Sequence, residues 1–328
     1  MENLQKVNAS RTLMLTVCCI VYNHEPFIRQ CLEGFVMQKT NFRFEVIVHD
    51  DASTDGTAAI IHEYEEKYPE IIKPIYETEN LYSKQDGSIK RIMNEHTHGK
   101  YVAFCEGDDY WIDPYKLEKQ VDFLENHSDY SYVWTNAKMQ KGNRLNRPYN
   151  RYPIDCDVPM EDIIMRGGLW VPTVSIVIRK DILNSMPNIK FHIGDYPMQM
   201  WAAYKGKVRY LSDVTCVYRL SSIGSWSERM SKQTAEQNFI TWEKEHYLLE
   251  KMDELTGLQY HSFFIQRWHF YSYFNLLSIK KYHEAREHWV ALDEKYKKCK
   301  LKSCENWCIG HGVFFMARFI VSIKSLLR

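Results

Sequence analysis

The sequence has no excess of charge of either sign and no long apolar run. Its 42 Lys and Arg residues balance 42 Asp and Glu residues, giving a formal net charge of +0, so the total charge does not favour nucleic-acid binding by phosphate neutralisation. The most apolar late stretch, residues 313–327, is interrupted by Arg318 and Lys324 and never reaches about 18 uninterrupted apolar residues. We therefore expect neither a nucleic-acid-binding protein nor a membrane-spanning helix.

Four motifs of large enzyme classes are missing as well. The chain contains no G-x-G-x-x-G, G-x-x-x-x-G-K-[ST], H-E-x-x-H or G-x-S-x-G, so dinucleotide-binding, P-loop, zincin and simple hydrolase functions lose support.

The nine cysteines are odd in number and cannot all pair within one chain, and a chain of this length does not need disulfide bonds to stabilise its fold. We expect a reducing, cytoplasmic setting.

The sequence does contain alternating strand and helix patterns. Residues 14–21 and 44–48 are apolar strand candidates, separated by a helical stripe that begins near Pro26. Continued alternation is typical of α/β proteins with a mostly parallel central sheet and helices on both faces. Gly and Pro punctuate residues 138–162, where we expect a loop-rich insertion. From residue 234 onward the apolar spacing indicates a helical extension.

Two acidic clusters follow predicted strands. Asp50 and Asp51 come after one strand, and Glu106, Asp108 and Asp109 come after another. The carboxyl ends of strands are where an open α/β sheet has its ligand crevice, and carboxylates crowded there raise one another's pKa unless a cation offsets the repulsion. An oxygen-only site suits Mg²⁺ or Mn²⁺. The alternative is that each cluster is a solvated turn that caps the next helix.

Three further features are candidates for chemistry. Asp195 lies at the predicted start of a helix, where it is either a cap or a catalytic base. Lys90 is suited to facing a phosphate, with a solvated helix face as the alternative. Residues 221–227, which follow Tyr218 and Arg219, have the composition of a mobile lid or of an exposed surface loop.

Three segments carry a specific pattern. They are residues 17–23 (VCCIVYN), 46–57 (VIVHDDASTDGT) and 99–111 (GKYVAFCEGDDYW). Their order and spacing resemble those of the family 2 glycosyltransferases, over about residues 12–226. The resemblance implies a GT-A fold, a nucleotide-diphosphate sugar donor, a divalent cation and inversion at the anomeric carbon.

The same resemblance implies a nucleotide-sugar site. Asp51 resembles the family's aspartate that accepts a hydrogen bond from the uracil ring, and Tyr22 lines the same pocket with Asn23 beside it. Lys90 falls near the family's phosphate-facing basic residue. Asp108 is expected to contact the donor too.

A metal site and a base are implied in the same way. Asp109, with Asp108 beside it, resembles the metal-binding end of the DxD-type motif, and Glu106 stands where that motif more often begins with Asp. Asp195 resembles the catalytic base. Ser221 falls where related sequences often have His, which leaves a third protein metal ligand open.

We therefore expect an α/β protein of the GT-A type, with a catalytic domain over residues 1–228 and a helical C-terminal extension over residues 229–328. Within the catalytic domain, about residues 12–126 would bind the nucleotide sugar and about residues 127–228 would form the acceptor side.

The expected function is inverting, metal-dependent transfer from a UDP-sugar to a glycan or lipid-linked glycan acceptor in cell-surface polysaccharide synthesis. A catalytically silent nucleotide- or glycan-binding protein is the alternative; a nucleotidyltransferase is a third, for which we find no glycine-rich basic triphosphate loop. The expected location is the cytoplasm. Peripheral contact with the inner face of the cell membrane and a homodimer through the C-terminal helices are open alternatives.

Overall fold

The computed structural model describes residues 12–297, except residues 143, 150–151, 190–193, 221, 223–224 and 280. The chain divides into two compact units. The first takes in residues up to Asp157, Val171–Met186 and Lys205–Arg219. The second takes in Val158–Trp170, Pro187–Tyr204 and the chain from Leu220 onward. A catalytic domain that ends at residue 228 stays a prediction.

The first unit is built on a mixed sheet. Its strands are β1 (Leu13–Val21), β2 (Arg43–Asp50), β3 (Ile72–Tyr76), β4 (Tyr101–Phe104), β5 (Tyr110–Trp111), β6 (Tyr130–Lys141), β7 (Arg144–Pro148), β8 (Cys156–Asp157), β9 (Ile176–Arg179) and β10 (Lys207–Leu220). Their order is β3-β2-β1-β4-β9-β6-β10-β5, with β7 beside β6 and β8 beside β10. Strands β1 to β4 pair in parallel, whereas β9 is antiparallel to both β4 and β6. The α/β class is confirmed, and the predicted parallel arrangement holds for β1 to β4.

Helices alternate with the strands of the first unit and dominate the second. The first unit contains α1 (Glu25–Val36), α2 (Thr57–Lys67), α3 (Ser88–His96), α4 (Lys116–Asn126) and α6 (Lys180–Asn184). The second contains α5 (Met160–Arg166), α7 (Asp195–Lys205), α8 (Trp226–Ser231), α9 (Ala235–Leu255), α10 (His261–Ser278), α11 (Tyr282–Ala291) and α12 (Glu294–Lys297). The helical character predicted for the C-terminal part is confirmed as far as residue 297.

The core of the first unit forms around β1. Four of its apolar side chains are fully buried: Leu15, Val17, Cys19 and Val21. Helix α1 has Pro26 in its first turn, where a missing N–H costs nothing, and it buries a stripe of Ile28, Cys31, Leu32 and Phe35. Full burial of an aliphatic or aromatic side chain contributes about 1.5–3 kcal/mol, so this stripe fixes α1 in the core.

The segment predicted to be a loop-rich insertion, residues 138–162, is more regular than expected. Strand β6 continues to Lys141, turns at Gly142, and returns as β7 through the pair Lys141–Arg144. Gly142 has φ of 55°, a left-handed conformation that glycine adopts without a steric penalty. The glycine that suggested a loop therefore marks a hairpin turn.

Long helices form the second unit. Helix α9 begins with a capping box, in which Thr234 and Gln237 each accept a hydrogen bond from the other's backbone N–H. Trp242 on α9 donates from Nε1 to Ser272 Oγ on α10 at 3.0 Å, which ties the two helices together. None of the helices in the described part of the chain combines the length and apolar character that crossing a bilayer requires.

Candidate functional site

The carboxyl end of β1 supports two acidic turns. The first acidic turn contains Asp50 and Asp51 and continues to Gly56, and the second contains Glu106, Asp108 and Asp109. Because β1 pairs in parallel with both β2 and β4, the ends of these strands meet at one edge of the sheet. The N–H of Asp51 donates to the Val21 carbonyl at 2.9 Å, and the N–H of Gly107 donates to the Ile20 carbonyl at 3.1 Å. The clusters thus follow the two strands that flank β1, and both are held by neighbouring residues at its carboxyl end.

Asp51 is held by the chain that follows β3. Asp51 is only 1% exposed; its Oδ1 accepts from the N–H of Leu81 at 2.7 Å and its Oδ2 from the N–H of Tyr82 at 3.0 Å. A carboxylate offers about four acceptor positions, so each oxygen retains one for a ligand. Two backbone N–H groups therefore fix the orientation of the Asp51 side chain.

Tyr22 and Asn23 differ in their surroundings. The Tyr22 side chain is 42% exposed and available to a ligand. Asn23 has φ of 54°; its Oδ1 accepts from the N–H of Thr54 at 2.7 Å, and its N–H donates to Ser53 Oγ at 2.9 Å. Asn23 thus connects the end of β1 to the first acidic turn, a structural role that the predicted ligand contact did not include.

The second acidic turn contains a desolvated carboxyl. Asp109 is 3% exposed and Asp108 is 4% exposed, whereas Glu106 is exposed. Burial, followed by the charge of Asp108, raises the pKa of Asp109 well above its usual range, although the N–H of Arg219 donates to Asp109 Oδ1 at 2.7 Å and opposes the shift. A cation placed here would relieve this electrostatic penalty.

Arg219 is a site residue that the sequence did not single out. It lies near the end of β10, is 7% exposed, and donates from Nη1 to the Asp108 carbonyl and from Nη2 to Gln30 Oε1. Its guanidinium carbon lies 4.4 Å from the centre of the Tyr110 ring and 5.0 Å from that of Phe27. Arg219 therefore holds the second acidic turn through the Asp108 carbonyl. In the sequence, its place at the end of a predicted strand was the signal for this residue.

His24 is a second residue that the sequence did not single out. It is 9% exposed, and its Nδ1 has no hydrogen-bond partner. Burial lowers the pKa of His24, with the charges of Asp108 and Asp55 opposing the shift. A Cβ on Gly107 would lie 2.8 Å from this Nδ1, so the acidic turn approaches the imidazole at a distance that only glycine allows.

The predicted metal ligands fit a cation that the substrate helps to hold. Among residues 12–297 as described, no three His, Cys, Asp or Glu side chains converge to hold a metal ion by themselves. Mg²⁺ is commonly bound through one or two carboxylates together with substrate phosphates, and the buried neighbours Asp108 and Asp109 match that donor set. The exposed Glu106 stays a predicted ligand.

The other predicted site residues lie on helices. Lys90 is exposed on α3. Asp195, in the second unit, is the first residue of α7; it is half-buried, and its Oδ1 accepts from the N–H of Tyr196 at 2.8 Å. Ser221 lies outside the described residues, and Trp226, predicted to belong to a lid or loop, is the first residue of α8. The first unit thus contains every predicted site residue except Asp195.

Comparison with known proteins identifies the family. The family model described as Glycosyl transferase family 2 matches residues 16–187, a span that includes most of β1, both acidic turns and the sheet as far as β9. The chain belongs to glycosyl transferase family 2. The likeness inferred from the three sequence segments is thereby confirmed.

Two bacterial proteins are similar to this family 2 chain over about two thirds of its length. Rv1520 of Mycobacterium tuberculosis is 32% identical over 214 residues, which cover 65% of this chain and 60% of that protein. The chain therefore aligns with less than two thirds of that relative's length. A putative teichuronic acid biosynthesis glycosyltransferase, TuaG of Bacillus subtilis, is 32% identical over 225 residues, which cover 67% of this chain and 85% of TuaG.

A solved structure supports the fold. S. aureus TarS residues 1–349, in complex with UDP-GlcNAc, superposes with a TM-score of 0.58 at 20% identity, covering 93% of this chain and 81% of that one. At this identity the likeness establishes the fold, and the expected GT-A-like architecture is confirmed.

Proposed function

We propose that this protein is an inverting glycosyltransferase that transfers a sugar from a UDP-sugar to a glycan or lipid-linked glycan acceptor in cell-surface polysaccharide synthesis. The observation that carries the proposal is the support of both acidic turns by the end of β1, within a segment that matches the family. The biosynthetic role named for TuaG favours a role in polysaccharide synthesis, and the UDP-GlcNAc in the TarS structure favours a UDP-sugar donor.

The first acidic turn supplies the nucleotide contacts in this proposal. Asp51, oriented by two backbone N–H groups, accepts a hydrogen bond from the base, and the exposed Tyr22 ring packs against the nucleotide. Because Asn23 holds the turn, its contribution includes positioning. Preorganised acceptors of this kind bind without reordering, which favours affinity.

The second acidic turn supplies the metal ligands. Asp109 and Asp108 would hold Mn²⁺ or Mg²⁺, with Glu106 as a further candidate. When bound, the cation would stabilise the charge that develops on the leaving diphosphate. Lys90 adds a positive charge toward the same diphosphate, and Arg219 holds the turn through the Asp108 carbonyl.

The acceptor needs a base. We assign this role to Asp195, which would take the proton of the acceptor hydroxyl as its oxygen attacks the sugar carbon on the face opposite the leaving group. The C–O bond to the diphosphate breaks as the new glycosidic bond forms, so one displacement inverts the anomeric configuration.

A donor screen tests the proposal. UDP-, GDP- and dTDP-sugars are incubated with the protein and Mn²⁺ or Mg²⁺, and the released nucleoside diphosphate is measured. We expect release from one UDP-sugar, loss of release in Asp109→Ala, and retained release in Asp122→Ala, which removes an exposed carboxylate on α4. Nucleotide binding without release from any donor, with or without glycan acceptors, would instead support a silent binding protein.

A further inference from the structure

A buried charge pair joins the two long helices of the second unit. Arg267 on α10 is 1% exposed and Glu245 on α9 is 5% exposed, and Arg267 Nη2 lies 3.6 Å from Glu245 Oε1. Replacing such a pair with apolar residues of similar size is often neutral or stabilising, whereas removing one partner is strongly destabilising. Fold stability alone therefore does not explain why charges occupy this position.

Arg267 connects α10 to α5 and α7. Its Nη1 donates to the Met165 carbonyl at 3.4 Å, and its guanidinium carbon lies 6.0 Å from the centre of the Tyr196 ring and 5.5 Å from that of Tyr271. A Cβ on Gly167, which has φ of 81°, would collide with Nη2. The guanidinium thus fits closely between three helices, and Tyr196 is one of its neighbours.

Tyr196 transmits this packing to Asp195. The Tyr196 side chain is 0% exposed, and its hydroxyl donates to the Ile164 carbonyl at 2.6 Å. Its backbone N–H donates to Asp195 Oδ1 at 2.8 Å. A displaced Tyr196 would therefore change the orientation of the Asp195 carboxylate.

The pair also acts on Asp195 through charge. Burial raises the pKa of Glu245; Arg267 lowers it, and the charge of Asp195 raises it further. The Glu245 and Asp195 carboxylates therefore repel each other. Tyr196 and Tyr271 also face the pair, and because burial raises the pKa of each, both are neutral near pH 7; α5 contributes the Met165 carbonyl.

We propose that Arg267 and Glu245 are positioning residues that hold the first turn of α7, and with it the Asp195 carboxylate, in the orientation that receives the acceptor proton. The inference rests on the proposed function, in which Asp195 is the base. It gives helices α9 and α10 a part in the reaction that motifs in the sequence do not indicate.

The test compares variants of the pair with a matched control. Glu245→Gln removes one charge, and the double variant Glu245→Leu/Arg267→Met removes both while keeping the site filled. The control is Asp253→Asn, because Asp253 is also buried on α9 and pairs with His261 of α10 at 2.5 Å, about 12 Å along the helix from Glu245. Asp195→Asn serves as the reference for loss of the base.

Hydrogen exchange gives a readout that does not need a donor. We expect the Tyr196 amide to exchange faster in Glu245→Gln and in the double variant, and at the wild-type rate in Asp253→Asn. Equal exchange in wild type, Glu245→Gln, the double variant and Asp253→Asn would overturn the proposal, since the pair would then not hold the first turn of α7.

Kinetics separate positioning from a purely structural role. In the double variant kcat should fall about tenfold or more, as expected for a displaced catalytic group, with the donor KM nearly unchanged. In Glu245→Gln the acid limb of the kcat profile should move to lower pH, because Arg267 is left uncompensated near Asp195. A wild-type kcat in the double variant, together with a wild-type pH profile in Glu245→Gln, would overturn the proposal. Full activity in Asp195→Asn would instead refute the base assignment, and the catalytic meaning of the pair with it.

Discussion

Lys116 allows one consequence of burial to be worked out quantitatively. It is the first residue of α4 and is 0% exposed; its Nζ donates to Gln120 Oε1 at 2.7 Å and lies 4.6 Å from the centre of the Trp111 ring. These contacts favour the charged form. Burial outweighs them, however, and lowers the pKa of Lys116 from 10.5 to about 8.

The shift fixes both the sign and the size of a pH effect. The unfolded chain keeps this proton up to about pH 10.4, so between about pH 8 and pH 10.4 the unfolded state binds more protons and the free energy of unfolding rises with pH. At about 1.36 kcal/mol per pKa unit, the charged Lys116 destabilises the fold by about 3 kcal/mol at pH 7 and by less than about 1 kcal/mol at pH 10.

The experiment is urea unfolding of wild type and Lys116→Met from pH 7 to pH 10. The free energy of unfolding of Lys116→Met minus that of wild type should be about 2–3 kcal/mol larger at pH 7 than at pH 10. Loss of the hydrogen bond to Gln120 displaces the whole difference curve by a constant and leaves its slope intact. Other titrating groups cancel in the difference.

Lys119→Met, on the same helix, is the control. Its ammonium hydrogen-bonds to Asp213, which raises the pKa of Lys119, so its difference from wild type should be nearly flat between pH 8 and pH 10. A flat curve for Lys116→Met as well would refute the reasoning, because it would mean that the buried ammonium keeps its ordinary pKa.

Three further predictions concern the candidate site. Arg219→Met should lower Tm by about 6–12 °C, since it removes two buried charge-assisted hydrogen bonds of about 1.5–3 kcal/mol each; Arg29→Met, at an exposed ion pair on α1, should change Tm little, and equal shifts would contradict the role of Arg219. Gly107→Ala should weaken Mn²⁺-dependent nucleotide binding in calorimetry, because the added methyl meets His24; wild-type affinity would show that the turn yields. Asn23→Ala should lower the free energy of unfolding by about 1 kcal/mol or more, and Asn23→Gly should lower it less, because φ of 54° suits glycine; the reverse order in urea titrations would argue against backbone strain.

Local sequence patterns predict the parallel half of the fold and the position of the acidic turns. The β-branched run of β1 and the Asp residues that follow β2 and β4 are short-range signals, and strand ends in such folds meet at one edge. Arg219 could not be found in this way, because its contact with Asp108 depends on how β10 enters the sheet, 111 residues along the chain. The link between Arg267 and Met165 is equally remote in sequence. The hairpin at Gly142 was missed because glycine marks tight turns and loops alike.

If the two turns bind the donor as proposed, their shared support at the end of β1 limits how the donor preference can be redesigned. The carbonyls of Val21 and Ile20 hold the two turns. Grafting one turn from a relative would therefore change only one of two segments that share the same support. Substitutions in both turns should combine non-additively. The backbone N–H groups of Leu81 and Tyr82 also hold Asp51, and they do not belong to β1. This segment is therefore the one best suited to exchange on its own.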